Sequence, residues 1–535
     1  MTSTPKQLCL NHFSPSERWL LVALGTCLLA LGISGDSLWI DEGYSAKLAM
    51  QPTLSAWATT LRSIPGSEPQ MPGYQLYLWA WSHIFGLSEW SLRLANLPWA
   101  LLFTGALAWA SERLLQVRRV WLILCLSPFL WFYMNEARPY AMMIGLSMAT
   151  IVAVLAYVQD PSRYRLAPWV AVLLLLALWS THMLAITLLP SLLLLLYSLR
   201  PTSIKSMLRQ WTAPILIALP LYLTLAIYFL HTVAGGKGGK IEKPGISNLG
   251  FAFYEFLGFG GLGPPRGILR LHPSLHTLLP YLPTLALGLL ACAMLLLASM
   301  QESRTAAERR LLKGLGLSFA AGVGITFALA YAVHLSLLGR HLAVFPPFLA
   351  LLLIVGLPRA SDPRLRRVAI SAWMVLCVAW SASDFKQRML PNYHKDDYRS
   401  ATTLAEQALA NGEPVLWVAD RETAKYYGLQ TTLGLEKGDL LPAQPMEAIS
   451  GVCSPERFQQ ALASQQRALV LITDREFFDP HGNCRTLLES LTGAQIASYP
   501  DFEAWQVNNT RPFAVSARMR PLAVKNDQTA SAHVQ

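Results

Sequence analysis

Apolar runs of about 17 to 25 residues, each long enough to cross a bilayer, recur along this chain as far as Ser383. That recurrence constrains the fold more than any other feature, because backbone polar groups in lipid must be satisfied within the segment itself, and a helix does this. The runs lie near 19–35, 90–111, 120–134, 139–158, 166–180, 183–199, 211–230, 279–300, 314–336, 341–358 and 368–383. They predict a mainly α, polytopic membrane protein with eleven transmembrane helices. The first run, Trp19–Ser34, has no small-residue cleavage site behind it and reads as an anchored helix, not a removed signal peptide. Charged residues make up 14% of the chain, against about 25% in ordinary soluble domains.

The charges orient the spans. Every second connection is short and basic: Lys6 and Arg18; Arg113, Arg118 and Arg119; Arg163 and Arg165; Arg200, Lys205 and Arg209; Arg304, Arg309, Arg310 and Lys313; Arg359, Arg364, Arg366 and Arg367. The positive-inside rule puts these connections in the cytoplasm. It also accounts for the net charge of +11 without nucleic acid, for which no recognisable module is present. The apolar segment Met71–Phe85 is too short to span, and a crossing there would invert every later loop. It is expected to lie in the interface or to re-enter, with its Trp and Tyr at headgroup level. The amino terminus is then cytoplasmic and the tail lies outside, as in a bacterial inner-membrane protein with its working face on the periplasmic side.

The outer face receives the first loop (35–89), "NEARPY" (Asn135–Tyr140), "STH" (Ser180–His182), a Gly/Pro-rich loop (His231–Leu278), "LGRH" (Leu338–His341) and the tail from Asp384. In the tail, "EPVLWVAD" and "RALVLITD" read as buried strands with helical patterns between them, which predicts a soluble α/β domain. The expected organisation is a transmembrane catalytic domain over 1–383, an outer α/β domain over 384–510 and a disordered tail over 511–535. Cys453 and Cys484 are the tail's pair and are candidates for a disulfide on the oxidising side.

"GDSLWIDEGYSAKLAM" sets Asp41 and Glu42 side by side just beyond the first span. Two readings stand: solvated acids opening a helix, or a catalytic carboxylate held against the membrane. Arg93, Glu136, Arg138, Tyr140, His182, Arg340 and His341 fall on the same outer face. Arg is suited to bidentate phosphate contact, so acids opposite an Arg/His cluster suggest a base paired with a phosphate leaving group. Lys237, Lys240 and Lys243 in "HTVAGGKGGKIEKPG" are available to an anionic ligand, although the loop lacks the P-loop pattern. Lys395, Asp396 and Arg399 lie where the tail leaves the membrane and either close over the site or snorkel at the interface. Zinc-hydrolase and serine-hydrolase motifs are absent.

"LWIDEGYSAKLA", "MPGYQLYLWAWSHIFGLSEWSLRLANLPWALL", "NEARPYAMM", "GRHLAVFPP" and "KDDYRSATTLAEQAL" follow the order seen in the multi-spanning GT-C fold glycosyltransferases. The chain resembles most the bacterial branch related to protein mannosyltransferases and the lipid A aminoarabinose transferase, over residues 17 to 410. The resemblance implies transfer of a sugar from a polyprenyl-phosphate donor to a lipid, glycan or protein acceptor at the outer face. It implies Asp41 as general base with Glu42 supporting it or a metal, and an interfacial helix after the first acidic motif. Members often carry His-Pro-Pro or Lys-Pro-Pro before that helix, where this chain reads Gln70-Met71-Pro72. Arg93, Arg138, Tyr140, His182, Arg340, His341 and Lys395 are the expected substrate-binding residues. Two adjacent carboxylates are compatible with a divalent metal or with none. The alternative is a transporter or flippase of a lipid-linked sugar or other anion. It is disfavoured by charges that cluster at outer span ends and by the lack of repeated halves.

Overall fold

The structure is a computed structural model that describes residues 14–114, 120–199, 204–237, 243–265, 268–269, 274–301, 305–356, 363–390, 393–435, 447–463, 465, 467–473, 478–491 and 493–508. The tail expected to be disordered, 511–535, lies outside the described residues, as do Lys6, Arg118, Arg119, Arg200, Lys240, Arg304 and Arg359. The chain divides into two compact units: Met1–Ser400 with Glu422–Tyr427, and Ala401–Arg421 with Gly428–Gln535.

The first unit is helical. Ser14 opens α1 (Pro15–Ala30) with a reciprocal cap, its hydroxyl accepting from the Glu17 N–H while the Glu17 carboxylate accepts from the Ser14 N–H. The segment that follows folds into α2 (Ile40–Ala49), α3 (Leu54–Ser63), a 3-10 turn at Glu68–Gln70, α4 (Pro72–Phe85) and α5 (Glu89–Leu94). The chain then forms α6 (Leu97–Arg113), α7 (Pro128–Met134), α8 (Tyr140–Gln159), α9 (Ala167–Thr181), α10 (Leu188–Leu199) and α11 (Ile204–Ala234). A shorter helix, α12 (Ile246–Phe256), precedes the helices Leu282–Gln301, Ala306–Ala332, Pro346–Gly356 and Pro363–Met389.

Among the described residues, six helices rather than eleven are long and apolar enough to cross a membrane: Glu89–Arg113, Tyr140–Gln159, Lys205–Ala234, His276–Ala298, Ala306–Ala332 and Pro363–Met389. Three shorter apolar helices, Ala167–Thr181, Met183–Leu199 and Pro346–Val355, cover three more of the expected spans. The remaining two are α1, at 16 residues, and the run 120–134. That run breaks between a 3-10 stretch, Val120–Leu126, and Pro128 at the start of α7. Hydropathy counts apolar residues and does not register such breaks, which shorten a helix without making it less apolar. Pro214 and Pro220 are accommodated inside α11, which runs past both ends of the expected 211–230.

α8 is the most enclosed span, 83% of its apolar window being buried, against 17% for Lys205–Ala234. The core is built around α8, and α11 presents its apolar surface outward, as a helix bordering lipid does. α4 has 14 residues, roughly 21 Å of helix at about 1.5 Å per residue, short of the roughly 30 Å hydrocarbon core. Gly86 ends it at φ +87°, a left-handed conformation that favours glycine. Its aromatic polar atoms tie it to its neighbours: Tyr77 Oη donates to the Ala95 carbonyl, Trp79 Nε1 to Gln51 and Trp81 Nε1 to Ser91. Leu76, Ile84 and Phe85 remain exposed.

The second unit contains a six-stranded sheet with β1 (Val415–Val418), β2 (Thr431–Leu433), β3 (Ala448–Ser450), β4 (Arg467–Thr473), β5 (Gly493–Tyr499) and β6 (Phe502–Asn508), in the order β2-β3-β1-β4-β6-β5. β2, β3, β1 and β4 pair in parallel, and β6 and β5 extend the sheet antiparallel. The two apolar runs read from the sequence are β1 and β4, the adjacent and most deeply buried strands of the parallel part. Cys453 and Cys484 are joined as a disulfide, their Cα atoms 6.2 Å apart.

Candidate active site

Asp41 and Glu42 occupy the first turn of α2. Successive residues on a helix point about 100° apart, so the two carboxylates leave in different directions and meet different arginines.

Glu42 turns inward and is fully buried. Arg93 grips it with two bonds, Nε to Oε1 at 3.0 Å and one terminal nitrogen to Oε2 at 2.8 Å. The rest of the guanidinium donates to the carbonyls of Ser34, Asp36 and Ser37. A guanidinium has five N–H groups, and all of them are spent here, so Arg93 has no donor left for a ligand. Glu42 also accepts the Ala137 N–H at 2.7 Å. Burial alone would raise this carboxyl; the charges of Arg93 and Lys395, with the bonds from Arg93 and Ala137, outweigh it and hold Glu42 below the ordinary carboxylate range.

Asp41 turns the other way. Its Oδ2 accepts from Arg340 at 3.1 Å, and the side chains are 26% and 25% exposed respectively. Arg340 sits in the short turn Gly339–Leu342 that precedes the helix Pro346–Gly356. Its guanidinium lies 5.7 Å from the Trp39 ring centre, and Lys395 Nζ lies 5.8 Å from the same centre. Lys395 also donates to the Asn135 carbonyl at 2.9 Å and pairs with Glu136 at 3.2 Å.

Arg138, in the turn between α7 and α8, is fully buried. It donates to the Asp41 carbonyl at 3.0 Å, to Ser45 Oγ, to Ser67 Oγ and to Glu68 Oε1 at 2.7 Å. Burial disfavours its charge, but Asp41, Tyr140 and Glu68 more than restore it. Burial pushes the Glu68 carboxyl upward, and Arg138 offsets only part of that rise. The Nε atoms of Arg138 and Arg340 and the Oε2 atom of Glu136 are buried without a hydrogen-bond partner among the described residues. Tyr140 is buried within electrostatic reach of Arg340, Arg138, Glu136 and Asp41.

His182 and His341 stand with ring centres 6.0 Å apart. His182 Nδ1 accepts the Leu184 N–H, and His341 Nδ1 accepts the Leu338 N–H. A ring nitrogen that accepts a proton bond carries no proton, so each imidazole is neutral with its hydrogen on Nε2. Burial, with repulsion from Arg138 and Arg340, pulls His182 down to about 3. His182 therefore offers an N–H and not a positive charge.

Asp41, Arg138, Tyr140, Arg340, Glu136 and Lys395 thus gather in one cluster, with His182 and His341 beside the arginines. Glu42 and Arg93 form the wall behind it. Lys237 donates to the Arg62 carbonyl, and Lys243 lies over the Tyr331 ring, so neither Lys joins the acids. Sequence reasoning missed Glu68. Its signal was an acid in the Pro-bounded turn "SEPQMP", immediately before the departure at Gln70-Met71-Pro72.

Metal ligation can be tested on the donor sets. In the first unit Asp41 and Glu42 diverge and each faces a guanidinium, which stands where a cation would bind. In the second unit Cys453, Asp479 and Cys484 are buried and close enough to hold a divalent ion. The sulfurs there are joined to each other, and Asp479 accepts the N–H groups of Cys484 and Arg485. A metal would therefore need the reduced thiols.

No protein-family model matches the chain, and no curated protein matches it. Two solved structures do. One is ArnT from Cupriavidus metallidurans in the apo state, at 15% identity and TM-score 0.54. The other is the same protein bound to undecaprenyl phosphate, at 14% identity and TM-score 0.51. Each likeness covers 92% of this chain and 98% of the other. The chain shares its fold with ArnT, the GT-C-like architecture that its ordered sequence motifs resemble.

Proposed function

We propose that this protein is a membrane glycosyltransferase that moves a sugar from a polyprenyl-phosphate donor to a lipid, glycan or protein acceptor. Transfer takes place at the outer face of the cytoplasmic membrane. One observation carries the reading: Asp41 is the open member of the acid pair and lies against Arg340, while Arg138 and Arg340 each keep a buried Nε unbonded. A phosphate oxygen is the acceptor such donors fit.

In this mechanism Asp41 takes the proton from the acceptor hydroxyl. The acceptor oxygen forms its bond to the anomeric carbon as the bond from that carbon to the lipid phosphate oxygen breaks. The phosphate leaves with the electron pair, and Arg138 and Arg340 stabilise the charge it gains. Attack opposite the phosphate inverts the anomeric centre. Arg340 pairs with Asp41 before the donor arrives; the lipid phosphate competes for that guanidinium and frees the carboxylate to act as base. His182 contributes a neutral N–H donor. Glu42 and Arg93 hold the turn that carries Asp41. The alternation of short basic connections along the sequence supports placing these residues on the outer face. The fold shared with a protein solved with undecaprenyl phosphate supports a lipid-linked donor.

The test compares wild type, Asp41→Asn and Glu42→Gln in native membranes, reading lipid-linked sugars and surface glycans by mass spectrometry. Asp41→Asn is expected to stay in the membrane, let a lipid-phosphate sugar accumulate and erase one glycan modification. Wild-type profiles for both variants would remove the acids from the chemistry and leave transport as the reading.

A further inference from the structure

The helix that carries Asp41 is entered through the loop Ser34–Trp39, whose polar backbone is gripped from several directions. Arg93 takes the carbonyls of Ser34, Asp36 and Ser37. Arg399 takes the carbonyl of Gly35 at 2.6 Å, and its own N–H donates to Ser37 Oγ. The remaining grip comes from much later in the chain. The Tyr427 hydroxyl accepts the Leu38 N–H at 2.7 Å and receives a bond from Ser37 Oγ at 3.3 Å.

Tyr427 ends a short segment, Glu422–Tyr427, that belongs to the first unit although the chain on both sides belongs to the second. Several contacts of this segment fall on the machinery around Asp41. Glu422 pairs with Lys47 on α2 at 3.0 Å. Gly43 of α2 packs so tightly on Thr423 that a Cβ there would meet Thr423 Cβ at 2.7 Å. Tyr426 Oη donates to the Leu87 carbonyl at 2.6 Å, in the turn ahead of α5, which carries Arg93.

We propose that Glu422–Tyr427 is a positioning element for Asp41, with the Tyr427 hydroxyl fixing the Leu38 amide and thereby the entry to α2. The element touches no substrate and rests on the reading of Asp41 as base. Without the hydroxyl, the Leu38 N–H loses its acceptor in a buried setting, where an unmet donor is costly. The loop then relaxes and carries the carboxylate with it. A misplacement of about 1 Å in a catalytic group costs up to about 100-fold in rate. The connection between β1 and β2 is on this account a working part of the membrane unit, although it lies beyond the last apolar run.

The test uses the full chain in native membranes and reads two quantities: turnover of lipid-linked sugars, and affinity for undecaprenyl phosphate as a probe. Tyr427→Phe is expected to slow turnover about five- to tenfold, while affinity for the probe stays within about twofold. A purely structural loss would weaken both. Asp41→Asn is run beside it. If Asp41→Asn is inactive and Tyr427→Phe turns over at the wild-type rate, the positioning claim is overturned and the site stands. If Asp41→Asn itself turns over normally, the base assignment fails and the positioning claim fails with it. Should Tyr427→Phe lower the amount of protein, the pair Lys47→Glu and Glu422→Lys decides. Each single change slowing turnover, with the double change restoring it, supports the element; wild-type rates for all three overturn it.

Discussion

The surroundings of Glu42 and of Asp41 can be set side by side, since one backbone turn presents both. Glu42 meets Arg93 in a contact closed to solvent on both sides, whereas Asp41 meets Arg340 with about a quarter of each side chain open. The first arginine has spent every N–H on Glu42 and on loop carbonyls; the second keeps its Nε free. A buried, fully bonded ion pair adds little net stability over an apolar pair, but removing one partner leaves a stranded charge. A half-open pair can exchange its partner for a ligand. On the proposed reading, the same two residue types serve as scaffold in one place and as reactive apparatus one residue away.

Four changes would break or sharpen that contrast. The largest effect is expected from Asp41→Asn, which would remove the proposed base and lower transfer by about 10²- to 10⁴-fold. Protein level and thermal unfolding in detergent should match wild type. Glu42→Gln should do the reverse, costing about 3–5 kcal/mol of stability because Arg93 is left buried without its counter-charge. A melting profile in detergent, compared with Asp41→Asn, separates the two. Arg340→Lys should slow transfer by about tenfold, since a point charge replaces a fork able to hold carboxylate and phosphate in turn; initial rates in membranes measure it.

Acid should reveal the Glu42 contribution with a definite sign. Its folded carboxyl is held below the ordinary range. Its contribution to stability is thus fully present above the unfolded value of about 4.3 and is lost as pH falls through the lower folded value. The stability gap between wild type and Glu42→Gln should narrow over that interval in melts run at successive pH values.

The smallest effect belongs to His182→Gln, which keeps an N–H donor and should alter the rate only a few-fold. The pH–rate curve of wild type should carry no His182 inflection between pH 5 and 8, because the ring is neutral throughout that range.

Much of this was legible in the residues. Apolar runs with alternating basic loops mark where helices are to be sought. "EPVLWVAD" and "RALVLITD" do become adjacent parallel strands, because continuous β-branched and aliphatic runs suit strands covered on both faces. The acids and arginines of the candidate site were visible as charges stranded at the ends of apolar runs. Glu68 was not, since its one signal, an acid in a Pro-bounded turn, is shared by many ordinary surface turns. Neither was the part taken by Tyr427, which lies 389 residues from the Leu38 amide it accepts from.

Sequence alone determined the membrane character, the helical first unit, the strand-bearing second part and the short list of charged candidates, because these follow from local composition and periodicity. Tertiary structure decided how long each helix is, since 3-10 stretches and prolines interrupt runs that hydropathy reads as continuous. It also decided which acid of the adjacent pair is sealed and which is open. That depends on where Arg93 and Arg340 arrive from distant parts of the chain, and one helical step of rotation gives the two carboxylates different partners.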